Sequence, residues 1–277
     1  MIDPGHRQIA RAVQEVSGLV LGPDHGYLLA SRLGPVLCQN GLADLTALAQ
    51  RLALPGAASL ARQVAEALTT NETSFFRDRL PFDHLATSVL PKIATERPRG
   101  TPIRVWSAAC STGQEAYSVA MLAREIQASL GGRRVTILGT DICSKVVSRA
   151  REGLFSKFEV HRGLSHERLE RWFTPEGPDW RVRPELREDC SFEVGNLIGQ
   201  VPATAAFDVI LLRNILIYLD KPTKEQVVET CLRRLAPGGV LYLGASETLL
   251  GLSARLVPLP DYRGAYGHAG SMRGMVA

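Results

Sequence analysis

Ile103-Arg104-Val105-Trp106-Ser107-Ala108-Ala109-Cys110-Ser111-Thr112-Gly113-Gln114-Glu115 is the stretch on which the fold turns. Its first six residues are mostly apolar and read as a short buried strand. Small residues follow, and then a helical pattern runs over residues 114–130. A strand, a turn of small residues and a helix open an α/β sheet, in which ligands bind outside the carboxyl ends of the strands. Small side chains at that point let a ligand approach the backbone closely. The loop lacks the G-x-G-x-x-G spacing of a dinucleotide site. The same residues also fit a tight turn closed by a capping box, with Thr112 as N-cap and Glu115 at N3.

Working outward, the alternation continues. Residues 135–140 read as a strand and 144–152 as a helix. Residues 207–212 are a strand, 221–235 a helix with Pro222 in its first turn, and 240–244 a strand after Pro237-Gly238-Gly239. Strands alternating with helices predict a parallel sheet covered on both faces. The tail, 255–258 and 262–268, has the form of a terminal hairpin around Pro260-Asp261. Residues 172–194 break the alternation with turn chemistry between short strand-like runs, which predicts a small antiparallel β-subdomain inserted there. Residues 1–95 show helical periodicity, punctuated by Gly41 and Pro55-Gly56, and predict a small all-helical domain. A Pro-rich, charged linker reaches to about residue 102, and 103–277 forms the α/β domain.

Composition narrows the function. The chain has 277 residues, 45% hydrophobic and 22% charged, room for one large domain and one small one. No apolar run approaches the roughly 18 residues of a transmembrane helix, and Met1 to Arg7 do not begin a signal peptide. The expectation is a cytoplasmic protein without membrane insertion. The five cysteines have no C-x-x-C spacing, so they read as reduced thiols without a zinc site or disulfides. A net charge of +4 permits an acidic partner but lacks the basic stripe of a nucleic-acid binder.

Three further segments carry candidate residues. Asp141 follows the second strand, where a carboxylate accepts hydrogen bonds from ribose hydroxyls. It also suits a helix N-cap, as does Ser144. Arg213-Asn214 ends the strand 207–212, with Tyr218 close behind as a pocket residue or a core tyrosine. Asn71-Glu72-Thr73-Ser74-Phe75-Phe76-Arg77-Asp78 reads either as a capped helix start, with the phenylalanines packed between domains, or as part of a site.

Taken together, in order and spacing, these segments resemble the chemotaxis-receptor methyltransferases of the CheR type. The resemblance rests on Asn71 to Asp78, Trp106 to Ser118, Gly139-Thr140-Asp141-Ile142, Phe207 to Asp220 and Gly238 to Glu247. It spans residues 10–268 and implies a Rossmann-like class I sheet that binds S-adenosylmethionine and releases S-adenosylhomocysteine. It further implies that Asn71, Thr73 and Arg77 contact the cofactor from the N-terminal side. Glu115 would hold its ammonium group and Asp141 its ribose. Asn196 and Leu197 would flank the adenine, and Arg213 and Asn214 would complete the pocket. Arg77 and Tyr218 would serve the transfer itself. No metal is implied.

The implied reaction is methyl esterification of glutamate side chains on the cytoplasmic helical domain of chemoreceptors, for sensory adaptation. A glutamate carboxylate, with a reference pKa of about 4.3, is already ionised and needs no general base. The protein must hold its oxygen about 3–3.5 Å from the methyl carbon and exclude water. Lys145, Arg149, Arg151, Lys157 and Arg162 are candidates for steering an acidic helix, or form an ordinary solvated face. The hairpin turn at Thr174 to Trp180 is shorter than in relatives that dock a receptor C-terminal pentapeptide, so independence from that peptide is expected. A monomer is expected too. Ala109 stands where the family usually has glycine, Gln114 where glutamate is common, and Ala116 where proline often sits. A cofactor-sensing module without turnover, or a methyltransferase for a different protein, is the alternative.

Overall fold

Helices come first. The computed structural model describes residues 4–22, 25–199, 201 and 206–270. The extreme ends of the two expected domains, 1–3 and 271–277, lie outside the described residues. Five helices open the chain: α1 (Pro4–Ser17), α2 (Gly26–Arg32), α3 (Gly34–Gln39), α4 (Leu45–Leu52) and α5 (Ala58–Leu68). Their apolar stripes enclose a core of their own, with Ile9, Val13, Leu29, Leu33, Leu48, Val64 and Leu68 buried. Asp44 caps α4 by accepting a 2.8 Å hydrogen bond from the Ala47 N–H.

The core changes before the expected boundary near residue 95. Phe75 and Phe76, and after them α6 (Leu80–His84) and α7 (Leu90–Glu96), pack into the core beneath the large sheet. Phe82 from α6, Leu90 and Ile93 from α7, and Leu85 from the π-helical segment that joins them (Leu85–Val89) commit this stretch to it.

The α/β part then follows as β1 (Ile103–Ala108), α8 (Gln114–Glu125), β2 (Val135–Asp141), α9 (Ser144–Glu152), β3 (Leu154–Ser156), α10 (Lys157–His161), α11 (His166–Trp172), β4 (Phe173–Glu176), β5 (Asp179–Val182), α12 (Pro184–Arg187) and β6 (Cys190–Val194). It finishes with β7 (Phe207–Leu212), α13 (Lys221–Leu232), β8 (Leu235–Leu243), β9 (Leu256–Pro258) and β10 (Ala265–His268). Among the described residues the large sheet has the order β6-β2-β1-β7-β8-β10-β9. The first five strands are mutually parallel, and the β9–β10 hairpin adds on antiparallel to β8. Side chains alternate between two cores: Val105, Val209, Val240 and Tyr242 on one face, Trp106, Ile210, Leu241 and Leu243 on the other.

Several boundaries differ from the sequence reading. Helix α8 ends at Glu125 instead of residue 130, because the chain passes into successive turns that close on Gly131 and Gly132, at φ +58° and +73°. Strand β8 begins at Leu235, because Pro237-Gly238-Gly239 forms a bulge within it instead of a stop; Gly238 sits at φ +74°. That in turn ends α13 at Leu232. The inserted β-subdomain is not confined to 172–194. Its three strands run β3-β5-β4, so Leu154–Ser156 supplies one edge, while Cys190–Val194 pairs with β2 in the large sheet. Phe155 explains the recruitment, since its ring meets Phe75 and Phe173 edge-on at centroid distances of 5.0 and 6.4 Å.

Candidate active site

The carboxyl ends of β1, β2, β6 and β7 open on one side of the sheet, and the residues just beyond them line a single cavity. Ala109 and Ser111 come from β1, Asp141 and Ile142 from β2, Gly195 to Ile198 from β6, and Arg213 to Ile215 from β7. The roof is the end of α1, with Ser17 and Leu19, and the segment from Thr69 to Arg77. All ten residues expected from the sequence line this cavity: Asn71, Thr73, Arg77, Glu115, Asp141, Asn196, Leu197, Arg213, Asn214 and Tyr218.

The β1 loop is held in unusual backbone geometry. Ala109 and Ser111 have φ of +66° and +51°, the left-handed region in which L-residues are strained. Gly113, at φ +94°, is the residue that starts α8. The capping box does not form. Thr112 donates its hydroxyl to Gln114 Oε1 at 2.7 Å, and no side chain caps the helix. Glu115 is thereby freed to face the cavity. Its Oε1 accepts from the Ser107 hydroxyl at 2.7 Å and its Oε2 from Arg213 Nη1 at 2.9 Å.

Arg213 is almost wholly buried, at 1% exposure, and makes two further bonds. Its Nη2 donates to Asp78 Oδ2 at 2.7 Å and to the Arg77 carbonyl at 2.8 Å. It therefore ties the roof segment to the strand tip. The roof is not a helix start. It runs through turns with Phe76, Asp78 and Arg79 at φ +49°, +67° and +48°. The phenylalanine packing expected there does occur. The Phe75 carbonyl oxygen would lie 1.9 Å from a Cβ placed on Gly163, so only glycine fits opposite it. Arg77 turns back to donate to the Glu72 carbonyl at 3.0 Å, and Ser111 donates its hydroxyl to the Asn71 carbonyl at 2.7 Å.

Asp141 accepts one backbone N–H on each oxygen, from Ser111 at 2.9 Å and Cys143 at 3.0 Å. Neither Asp141 nor Ser144 is the N-cap of α9; that position is Cys143, and Ser144 instead donates to Glu66. Each Asp141 oxygen keeps a lone pair for a ligand hydroxyl. Asn196 is engaged within the protein. Its amide donates to the Val16 carbonyl at 2.7 Å and accepts from the Ile198 N–H at 3.2 Å, which fastens the end of α1 over the cavity. A bridge between Leu19 and Leu219, with the Val20 N–H donating to the Tyr218 carbonyl at 3.0 Å, completes that seam.

Sequence reasoning missed Ser17 and Leu19, which reach the cavity only through this long-range seam. It also assigned no role to Glu247. The Glu247 carboxylate accepts four backbone N–H groups, from Gly244, Asn214, Ile215 and Leu216, at 2.7 to 2.9 Å. It holds Asn214 at φ +58° and sets the loop that carries Tyr218. The pattern Gly244-Ala245-Ser246-Glu247 was visible in the sequence, but nothing local tells where its carboxylate points. Of the proposed steering cations, Arg149 bonds Glu159, Arg151 bonds the Phe192 carbonyl and Arg162 bonds Glu72.

The electrostatics favour a cation. Burial pushes the Glu115 carboxyl upward, opposed by the Arg213 guanidinium and the Ser107 hydroxyl. Burial also raises Asp141, opposed by the backbone N–H groups of Cys143 and Ser111. Two carboxylates held at the wall of a largely apolar cavity gain from a positively charged ligand that also carries hydroxyls. S-adenosylmethionine has those groups: a sulfonium and an ammonium, a ribose diol and an apolar, aromatic base. The thiol of Cys110, also lining the cavity, is raised well above its ordinary value by burial and stays neutral.

Comparison with known proteins agrees. The family model of the CheR methyltransferase SAM binding domain matches residues 71–260. The chain is 38% identical to the chemotaxis protein methyltransferase Cher2 of Pseudomonas putida, over 87% of this chain and 88% of that protein. It is 38% identical to chemotaxis protein methyltransferase 1 of Pseudomonas aeruginosa, over 86% and 87% of the two chains. A chemotaxis protein methyltransferase of Vibrio parahaemolyticus is 37% identical over 91% of each. With similarity of this extent along both chains, the protein belongs to the CheR methyltransferase family, and S-adenosylmethionine is its cofactor.

Proposed function

We propose that this enzyme methylates glutamate side chains on the cytoplasmic helical domain of chemoreceptors, forming methyl esters. The observation that carries the reading is the convergence of the ten expected residues on one cavity roofed by α1 and the 69–77 segment. When bound, S-adenosylmethionine supplies the electrophilic methyl group. Glu115 and Asp141 hold its ammonium and ribose, and Asn71, Thr73, Leu197 and Asn214 line the remaining wall. Asn196 contributes chiefly by holding α1 in place, and Arg213 by fixing Glu115.

The acceptor carboxylate is ionised at neutral pH, so the chain has no proton to move. Its task is to orient an anion and keep water out. Arg77 is the cation of the cavity whose guanidinium is not buried in ion pairs, and it orients the acceptor. Tyr218 donates its hydroxyl near the point of transfer. The β4–β5 hairpin closes on Gly177 and Pro178, with Glu176 paired to Asp179. So short a turn supports substrate binding without a receptor C-terminal pentapeptide.

Arg77→Ala and Tyr218→Phe test these roles in methyl transfer from radiolabelled S-adenosylmethionine to a receptor cytoplasmic fragment. The expected result is a fall in kcat for both at saturating cofactor, with cofactor affinity retained in Tyr218→Phe. Unchanged turnover in both would remove the assigned roles.

A further inference from the structure

Beside the cavity, across the turn Leu216–Tyr218, lies a second, open groove. Tyr218 faces the cavity, while Leu216 and Ile217 line the groove together with Lys221, Lys224 and Leu250. Both openings therefore share one wall and stand at the same edge of the sheet, beyond β7 and β8.

The groove is apolar where a monomer would normally be polar. Leu250 is 89% exposed, more than any other large hydrophobic side chain among the described residues, and Ile217 is 47% exposed. Exposed aliphatic side chains gathered in one groove mark a place for a partner. The charge along it is positive. Lys221 has a side-chain exposure of 71% and only a long 3.9 Å approach to Glu225. The acidic residue in the lining, Glu247, directs its carboxylate inward to four backbone N–H groups and presents little charge to a visitor.

From this geometry we infer that the groove is the docking site for the acceptor helix, an α-helix with acidic side chains flanking an aliphatic stripe. This inference rests on the function proposed above and names the surface that serves it. An amphipathic helix seats its apolar i, i+3, i+4 positions in such a groove. Ile217 and Leu250 meet that stripe. Lys221 and Lys224 lay their aliphatic stems along it and present ammonium groups to the flanking acids. A helix held there runs past Tyr218, so a glutamate on the adjoining face reaches the cavity mouth.

The test compares wild-type enzyme with Leu250→Asp and with Lys221→Glu/Lys224→Glu; Leu250 and Lys221 are exposed, Lys224 is half-buried, and all three lie outside the cavity. Steady-state methylation of a receptor cytoplasmic fragment gives KM and kcat, and S-adenosylhomocysteine titration gives cofactor affinity. The expected result is a KM for the fragment raised about tenfold in each variant, with unchanged cofactor affinity. The double variant should also lose most of the salt dependence of KM. Active wild type with unchanged KM in both variants would overturn the docking site alone. A wild type that binds cofactor but methylates no receptor fragment would overturn the proposed function and this inference with it.

Discussion

Arg213 Nη1 lies 2.9 Å from Glu115 Oε2 while its Nη2 lies 2.7 Å from Asp78 Oδ2, so one buried guanidinium joins a strand tip, α8 and the roof of the cavity. Removing one member of a buried ion pair leaves the other charge uncompensated, at a cost of about 3–5 kcal/mol. Arg213→Ala is expected to lower the unfolding free energy by about that amount in urea denaturation. Arg213→Lys should recover only part, because an ammonium cannot span both acids as a planar fork does.

The buried acids set a pH dependence. Burial raises Glu115 and Asp141, so the folded protein holds their protons more tightly than the unfolded chain does. Stability of the ligand-free protein therefore falls as pH rises through the window between their unfolded and folded values. Cofactor affinity moves the opposite way, since a cation prefers the ionised carboxylates. Calorimetric titration should show binding that tightens with rising pH and then levels off. Glu115→Gln should weaken binding by about tenfold at neutral pH and flatten the acidic limb.

Ala109 sits at φ +66° in the cofactor loop, where an L-residue is strained by about 1–2 kcal/mol. Glycine relieves that strain but loses more chain entropy on folding. Ala109→Gly is expected to stabilise the protein by about 0.5–1 kcal/mol, read as a raised Tm.

Gly163 approaches the Phe75 backbone so closely that a methyl group has no room. Gly163→Ala should cost more than about 2 kcal/mol and, by displacing the roof segment, weaken cofactor binding. Gly177→Ala is the control. Gly177 is also at positive φ, +60°, but an added Cβ there meets nothing within 4 Å. It should cost about 1 kcal/mol and leave cofactor affinity unchanged.

Four strands of the parallel sheet were legible because their signals are local, while Cys190–Val194, read as part of the antiparallel insert, joins that sheet only through its pairing with β2. Ile103–Ala108 and Phe207–Leu212 are short apolar runs, and the structure places both at the sheet centre. The site residues were legible because strand ends are, and because the roof segment carries its own motif. What stayed hidden depends on distant contacts. Leu154–Ser156 is three residues between two helices, and it becomes a strand only because Trp180 and its neighbours pair with it. Likewise Ser17 and Leu19 reach the cavity through pairing with Leu219, some two hundred residues away in sequence. Pro237-Gly238-Gly239 has the composition of a stop, yet the neighbouring β7 carries the strand through it as a bulge.

The most direct test of the account is the chemical stability of the transferred label. Receptor cytoplasmic fragments are methylated with radiolabelled S-adenosylmethionine and then treated with mild alkali. The label is expected to leave as volatile methanol, as a carboxyl methyl ester requires. Label that survives alkali would place the methyl group on another kind of atom and contradict the assignment of glutamate as acceptor.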